Sequence, residues 1–139
     1  MRLLPLAAAC AAAALAVPAA PASAVAGPAV AAVTFEGVNV SPPRLLAGFC
    51  SWDGAVLVGW AQSLALSPTD AALDINVRCT LYDRYGNVVA SVHEGSAGPP
   101  VYGVAVASPT TTLGRLCGSV NAYYRGGSLS DCGCATPVP

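Results

Sequence analysis

The chain contains no lysine, a single histidine and few charged residues of either sign. Its formal net charge is −1, from six basic and seven acidic residues, and Arg2 lies in a segment that is expected to be removed. Scattered arginines in a weakly acidic chain form no basic patch or stripe of the kind that binds nucleic acid or an anionic membrane surface. The sequence therefore predicts neither a nucleic-acid partner nor membrane association of the mature protein.

Signals of catalysis are also scarce. A nucleophilic serine or cysteine needs a base within hydrogen-bond reach, and the one histidine, His93, is predicted to be a solvated residue at a strand end. Carboxylates for paired acid–base chemistry fall mostly in predicted turns, where aspartate bonds to the backbone; the candidates are Asp53, Asp70, Asp74, Asp83, Glu94 and Asp131. No phosphate loop, zinc motif or calcium loop is present. We therefore predict a protein that is not an enzyme, with no catalytic residues, cofactor or metal.

The N-terminal segment, residues 1–24, has the organisation of a secretory signal peptide. One arginine precedes a long Leu, Ala and Val run, which ends at the A-x-A sequence Ala22-Ser23-Ala24. Cleavage after Ala26, lipidation at Cys10 and a membrane-spanning helix are the alternatives, but prolines within the run and its small-residue end favour cleavage. The sequence predicts a secreted, extracellular protein of about 115 residues, enough for one modest domain.

The mature chain keeps five cysteines, and in an oxidising compartment their default state is the disulfide: Cys50, Cys79, Cys117, Cys132 and Cys134. The first expected bond joins Cys79 to Cys117, and the second joins Cys50 to Cys132 or Cys134. A redox or metal pair at Cys132 and Cys134 is the competing interpretation. The C-x-C spacing differs from that of dithiol oxidoreductases, and no histidine lies nearby.

The clearest local signal is a β-hairpin from Leu73 to Glu94. Its first arm alternates apolar and polar residues with a period of two, which is typical of a half-buried strand. Its turn contains Gly86 and Asn87, the residues best able to adopt positive φ. The returning arm is 88–93.

Further strands are predicted at Ala31–Val40, Ala55–Leu66, Val101–Val106 and Leu116–Arg125. An amphipathic helix is the rival for 55–66, but Gly59 would weaken it, and Val56, Val58 and Trp60 share one face of a strand. Val33, Phe35, Val38 and Val40 are expected to face inward, and 101–106, apolar on both faces, to lie inside a sheet.

Two residue questions stay open. In the last predicted strand Leu116, Val120 and Ala122 form the core face and Cys117 lies on the other, so that pairing with Cys79 requires a bulge at Gly118. Trp52 and Trp60 are predicted to be core residues, with an aromatic platform for a sugar as the alternative.

Six or seven short strands, separated by Gly, Pro and Ser loops, predict an all-β protein: an antiparallel Greek-key β-sandwich, stapled by disulfides. A small closed barrel is the alternative. The expected organisation is a signal peptide at 1–24, an N-terminal segment with the first strand at 25–40, the sandwich at 41–134 and a disordered tail at 135–139.

The hairpin turn and its flank, Asp83-Arg84-Tyr85-Gly86-Asn87-Val88-Val89, resemble the D-x-x-G-N-x-V stretch of bacterial immunoglobulin-like domains of surface and adhesin proteins. The layout of signal peptide, hairpin, late-strand cysteine and terminal cysteine is similar to that of small secreted immunoglobulin-like proteins of actinobacteria. The resemblance implies an immunoglobulin-like sandwich and does not indicate a ligand. Cys50 and the extra cysteine near the C-terminus depart from that layout.

Three functions are compatible with these features. The first is an exported, non-enzymatic domain that binds an extracellular protein or glycan, with contacts made by loops at one end of the sandwich. The second is a secreted protease inhibitor using the Pro/Thr-rich loop at 108–113. The third is a small-ligand carrier similar to the actinomycete chromoprotein apoproteins. Cys50-Ser51-Trp52 resembles the C-x-W sequence of that family, although no second cysteine follows about ten residues later.

Overall fold

The computed structural model describes residues 30–97, 100–107 and 113–135, which form eight strands and one short 3₁₀ turn at Pro68–Asp70. The strands are β1 (Ala31–Asn39), β2 (Arg44–Trp52), β3 (Val56–Ala65), β4 (Asp74–Asp83), β5 (Val88–Ser96), β6 (Val101–Val106), β7 (Leu113–Tyr124) and β8 (Gly127–Ala135). The predicted signal peptide at 1–24 and residues 136–139 of the predicted tail lie outside the described residues.

The strands form two four-stranded antiparallel sheets. The first has the order β1-β2-β3-β6 and the second the order β5-β4-β7-β8. The chain passes between the sheets three times, from β3 to β4, from β5 to β6 and from β6 to β7. Within the sheets, β3 pairs with β6 and β4 pairs with β7. The prediction of an all-β, two-sheet protein is confirmed.

The core lies between the two sheets, and both contribute to it through alternate residues of each strand. Val33 and Phe35 of β1 face it as predicted, and Leu116, Val120 and Ala122 of β7 do as well. The two sheets thus pack face to face as a β-sandwich, in which each strand places one set of alternating side chains in the shared interior.

A disulfide between Cys50 of β2 and Cys79 of β4 connects the two sheets through the centre of this core. Both cysteines are fully buried. The predicted pairing of Cys79 with Cys117 is therefore wrong. The register places Gly118 opposite Cys79 without a bulge, so that Cys117 stays on the outward face of β7.

Two glycines make room for this disulfide. A Cβ on Gly118 would collide with Cys50 Sγ and lie 2.7 Å from the carbonyl oxygen of Arg78. A Cβ on Gly59 of β3 would lie 2.9 Å from Cys79 Sγ. Because each glycine faces one of the two sulfur atoms, the sheets approach more closely here than larger residues would permit.

The second disulfide joins Cys117 of β7 to Cys134 of β8, directly opposite each other in the register, with a Cα–Cα distance of 4.0 Å. The alternative pairing of Cys50 with Cys132 or Cys134 is therefore also wrong. This bond lies within one sheet, on its outward surface, and fixes the edge strand β8 to its neighbour. Two intramolecular disulfides are typical of extracellular proteins.

Several expectations about individual strands need correction. The structure contains two strands that the sequence did not predict, β2 and β8, and β6 is an edge strand, since it pairs with β3 alone. Val38 and Val40 are exposed and do not face inward. At the hairpin turn, Gly86 adopts a positive φ of 87° as expected, whereas Asn87 does not.

Replacing Gly118 by alanine is expected to destabilise the protein by about 2 to 3 kcal/mol, because the new methyl group overpacks against the disulfide and the backbone of β4. Gly95→Ala is the matched control. Its added Cβ would meet its nearest atoms at 3.5 Å, an ordinary contact, so its effect should stay within about 0.5 kcal/mol. Urea unfolding of the two variants measures both values, and an equal loss for the two would contradict this account of Gly118.

The two disulfides should differ in their contributions to stability. Cys50 and Cys79 are 29 residues apart and Cys117 and Cys134 are 17 apart, which in the chain-entropy model corresponds to roughly 3 to 4 kcal/mol each. The double variant Cys50→Ala/Cys79→Ala should lose more than Cys117→Ala/Cys134→Ala, since it also leaves a cavity in the core. Urea unfolding of the oxidised proteins tests the order, and a larger loss for the surface pair would overturn it.

Candidate interaction surfaces

The outward face of the first sheet carries a row of aromatic side chains across three strands. Phe49 of β2 lies opposite Trp60 of β3, which lies opposite Tyr102 of β6. The rings of Phe49 and Trp60 stack, with centroids 5.7 Å apart and an interplanar angle of 23°. With Ala47 and Val58 they form a second apolar cluster, separate from the core between the sheets.

The edge strand of this face exposes further apolar side chains. Tyr102, Val104 and Val106 follow one another at alternate positions of the edge strand β6, and all three are exposed, Val106 to 80%. In a soluble domain, contiguous exposed apolar side chains mark a surface that contacts another molecule. We call this surface, together with the groove described next, the apolar face.

At one end of the apolar face, a groove of about 420 Å³ lies over the row formed by Val38 of β1, Leu45 of β2 and Leu64 of β3. The exposed residues Val40 and Leu66, which follow β1 and β3, extend its apolar lining. Its volume falls in the range of small-molecule and side-chain binding pockets, roughly 300 to 1,000 Å³. The groove thus offers a concave apolar site on this face, and the row of Glu36, Ala47 and Gln62 lies between it and the aromatic row.

The two tryptophans lie on opposite faces of the first sheet. Trp52 is a core residue, 1% exposed, as predicted. Trp60 is also buried, at 6%, but in the outward cluster rather than between the sheets. The two indoles therefore neither form one platform nor line one cavity between the sheets.

The outward face of the second sheet is polar. Its strands place Asn76, Asn121 and Ser130 in one row across β4, β7 and β8, and the amide of Asn121 donates to that of Asn76 at 3.1 Å. Beside this row lies a groove of about 350 Å³, which we call the polar groove. It is lined by Arg78, Thr80, Tyr82, Val88, Ser91, Val92 and His93.

His93 lies on this face, where it is exposed as predicted, and opposite Arg78 in the β4–β5 register. It is an interior position of β5 rather than the strand end. Its neighbours in the polar groove are hydroxyl groups and an arginine, and no carboxylate lines that groove.

Four of the six candidate carboxylates serve structural roles, at separate places in the molecule. Asp53 accepts the backbone N–H groups of Val56 and Ala55, and these hydrogen bonds lower its pKa. In the hairpin turn, hydrogen bonds lower the pKa of Asp83, chiefly the one from the backbone N–H of Asn87. Both side chains favour the ionised form because their oxygens accept N–H groups that a turn leaves unpaired.

The remaining candidates occupy separate places. Asp70 forms an ion pair with Arg44, at 3.5 Å, and Asp131 of β8 accepts the backbone N–H of Glu36 in β1. Arg44 also lies over the ring of Tyr124, 4.4 Å from its centroid, which closes one end of the sandwich. Over the described ranges, no three histidine, cysteine, aspartate or glutamate side chains converge on a point that could hold a metal ion.

Four of the cysteines predicted to form disulfides do so in the structure, as the pairs Cys50–Cys79 and Cys117–Cys134. Cys132 lies on β8 opposite Ser119, and its backbone N–H donates to Asp131. Sequence reasoning missed both outward faces as sites. The alternation in β4 could have located the polar face, because it separates an apolar set of residues from a polar set.

Comparison with known proteins gave no match to a family model, a curated protein or a solved structure. Among the residues that the structure describes, no helix is long and apolar enough to cross a membrane.

Asp83→Asn should weaken the hairpin at neutral pH, because an amide accepts these hydrogen bonds less strongly than a carboxylate does. A lowered pKa in the folded protein means that the stabilisation is present above the pKa of the unfolded chain and is lost as the pH falls through the folded value. The difference from the wild type should therefore be clear at pH 7 and small at about pH 2.

Urea unfolding at these two pH values measures the effect. Asp74→Asn is the control, because the carboxylate of Asp74 accepts no hydrogen bond from the described residues, and it should leave the stability at pH 7 unchanged. A loss for Asp83→Asn that is the same at both pH values would contradict the role of the charge.

Proposed function

We propose that the protein is an exported, non-enzymatic immunoglobulin-like domain that binds a partner protein outside the cell through its apolar face. The strand arrangement supports the immunoglobulin-like, Greek-key part of the proposal. In that fold, two pairs of consecutive strands cross between the sheets and interlock, as β3–β4 and β6–β7 do here, and a hairpin strand such as β5 extends one sheet.

Export is supported by the arrangement of the first 24 residues and by the two disulfides, one of which is built into the core. The disulfide that joins the two sheets can form only in an oxidising compartment. The proposed location is therefore extracellular, with the mature chain released from its signal peptide.

The observation that carries the binding proposal is the exposure of the apolar face. Leu64 and Leu66 at the groove are 52% and 86% exposed, and Val104 and Val106 on the edge strand are 50% and 80% exposed. Burying apolar area of this kind contributes roughly 25 cal/mol per Å², so a protein partner that covers these residues gains most of its affinity from them. The sheet surface, rather than the end loops, is thus the proposed contact region.

The two other functions have less support. Residues 108–112 of the loop proposed for protease inhibition lie outside the described residues. A carrier with its ligand between the sheets would need a cavity lined by a tryptophan, whereas Trp52 is packed in the core and Trp60 points outward. A small apolar ligand would have to use the groove on the apolar face instead.

The double variant Leu64→Asp/Val104→Asp is expected to abolish partner binding, because it places two charges on the apolar face at positions that are already half exposed. Ser128→Asp/Ser130→Asp adds the same charge on exposed positions of β8, on the other sheet, and is the matched control. Wild type and both variants are used as immobilised baits against the culture supernatant of the source organism, with urea unfolding to verify that each is folded.

A protein retained by the wild type and the control but not by the apolar-face variant is the expected result, with at least a tenfold loss of affinity in the purified pair. Equal retention by all three baits would contradict the assignment of the contact region. Retention of nothing but cell-wall polysaccharide would contradict a protein partner.

A further inference from the structure

The polar groove places an arginine and a histidine directly opposite each other. Arg78 of β4 and His93 of β5 are partners in the register, so their Cβ atoms are about 5 Å apart. Both side chains are exposed and line the groove of about 350 Å³. Arginine is charged at all relevant pH values, and the imidazole can donate a hydrogen bond in either protonation state.

No carboxylate compensates this pair. Neither Arg78 nor His93 forms an ion pair within the described part of the chain, where the ion pair present is Arg44–Asp70. The nearest carboxylate on the same face of β4 is that of Asp74. It lies four residues from Arg78, or about 13 Å along the strand. An anion bound beside Arg78 would supply the opposite charge that the described residues do not place there.

The surroundings of the pair are rich in hydrogen-bonding groups of the kind that recognise sugars. Thr80 and Ser91 occupy the next cross-strand pair of the groove, and Tyr82 closes it. Arg115 of β7 lies over the ring of Tyr82, 4.9 Å from its centroid, and adds a second guanidinium group at the groove end. Hydroxyl and amide groups continue along the face through the row of Asn76 and Asn121.

This combination fits an acidic polysaccharide better than a nucleic acid. The cations are few and are separated by neutral hydroxyl and amide groups, whereas nucleic acid binding requires a basic stripe that follows closely spaced phosphates. A sugar chain that carries a carboxylate or sulfate at intervals, with hydroxyl groups between, matches both features. Arginine binds such oxyanions with two parallel hydrogen bonds.

We propose that the polar groove binds an acidic polysaccharide, with Arg78 and His93 holding one of its anionic groups and the neighbouring hydroxyl side chains holding the sugar. This site lies on the other sheet from the apolar face and does not depend on the proposed protein partner. The protein would then carry two binding surfaces, one on each side of the sandwich.

The test measures binding of oligogalacturonate, a carboxylated sugar chain, by calorimetry, with the fully methyl-esterified oligomer as its neutral match. Dextran sulfate against dextran supplies the corresponding sulfate pair, and single-stranded RNA homopolymer supplies a phosphate chain. The wild type should bind a charged oligosaccharide and not its neutral match, and the affinity should fall between 20 mM and 0.5 M salt because the contact is exposed and is screened.

Arg78→Gln should weaken this binding by about tenfold or more, since it removes a charge-assisted hydrogen bond. Arg78→Lys keeps the charge but cannot form two parallel hydrogen bonds, so its affinity should lie between those of the wild type and Arg78→Gln. Arg125→Gln is the matched control, because Arg125 is exposed beside the turn between β7 and β8 and its loss changes the net charge equally. Its affinity should stay within about twofold of the wild type.

Preference for the carboxylated or the sulfated chain identifies the anionic group that the groove binds. Binding of either chain supports the site if Arg78→Gln removes that binding. Three results would overturn the proposal: no binding of either charged sugar, an equal loss in Arg78→Gln and Arg125→Gln, or binding of RNA that exceeds that of the sugars. Leu64→Asp/Val104→Asp should bind the sugar as the wild type does, so the outcome is separate from that of the apolar face.

Discussion

The disulfide between Cys50 and Cys79 is the constraint on which the rest of the structure depends, because it fixes where the two sheets meet. Its sulfur atoms occupy space that side chains would otherwise fill, and Gly59 and Gly118 leave that space open. Once β2 and β4 are joined, the register of each neighbouring strand decides which alternate residues enter the core. The burial of Phe35 on one sheet and Val120 on the other follows from this arrangement.

The same alternation produces two unlike exteriors. In β3 the residues that face away from the core are apolar except for Gln62, and in β4 they are polar or charged. One sheet therefore presents mainly aromatic and aliphatic side chains, and the other presents amide, hydroxyl and guanidinium groups. In the described residues these groups are spread over two broad surfaces, to which the two binding proposals assign a protein and a sugar chain.

The sequence was a good guide where a strand had one polar face and a defined turn. The hairpin of β4 and β5 is predictable because its alternation is regular and Gly86 supplies the positive φ of the turn. β2 was missed because Leu45 to Trp52 is apolar on both faces and shows no alternation, and β8 because its Gly, Ser and Cys residues have the composition of a loop. The outward position of Trp60 could not be predicted, since period two shows which residues share a face and not which face meets the other sheet. Cys117 is on the same face of its strand as Ser119 and Asn121. That polar, outward face indicates a partner outside the core, and it was a better guide than the fact that Cys79 and Cys117 both lie in strands.

The two disulfides also bear on the order in which the protein can be assembled. Cys50 and Cys79 are consecutive cysteines, and the loop they close ends well before Cys117, so the two loops neither overlap nor enclose each other. A chain that emerges N-terminus first can therefore complete the first bond before Cys117 is available as a competitor. The pairing expected from the sequence, with one loop nested inside the other, would have required the inner bond to wait until β7, which carries Cys117, had been synthesised. Oxidation in chain order is thus a property of this topology, and it limits the number of mispaired forms that a newly exported chain can reach.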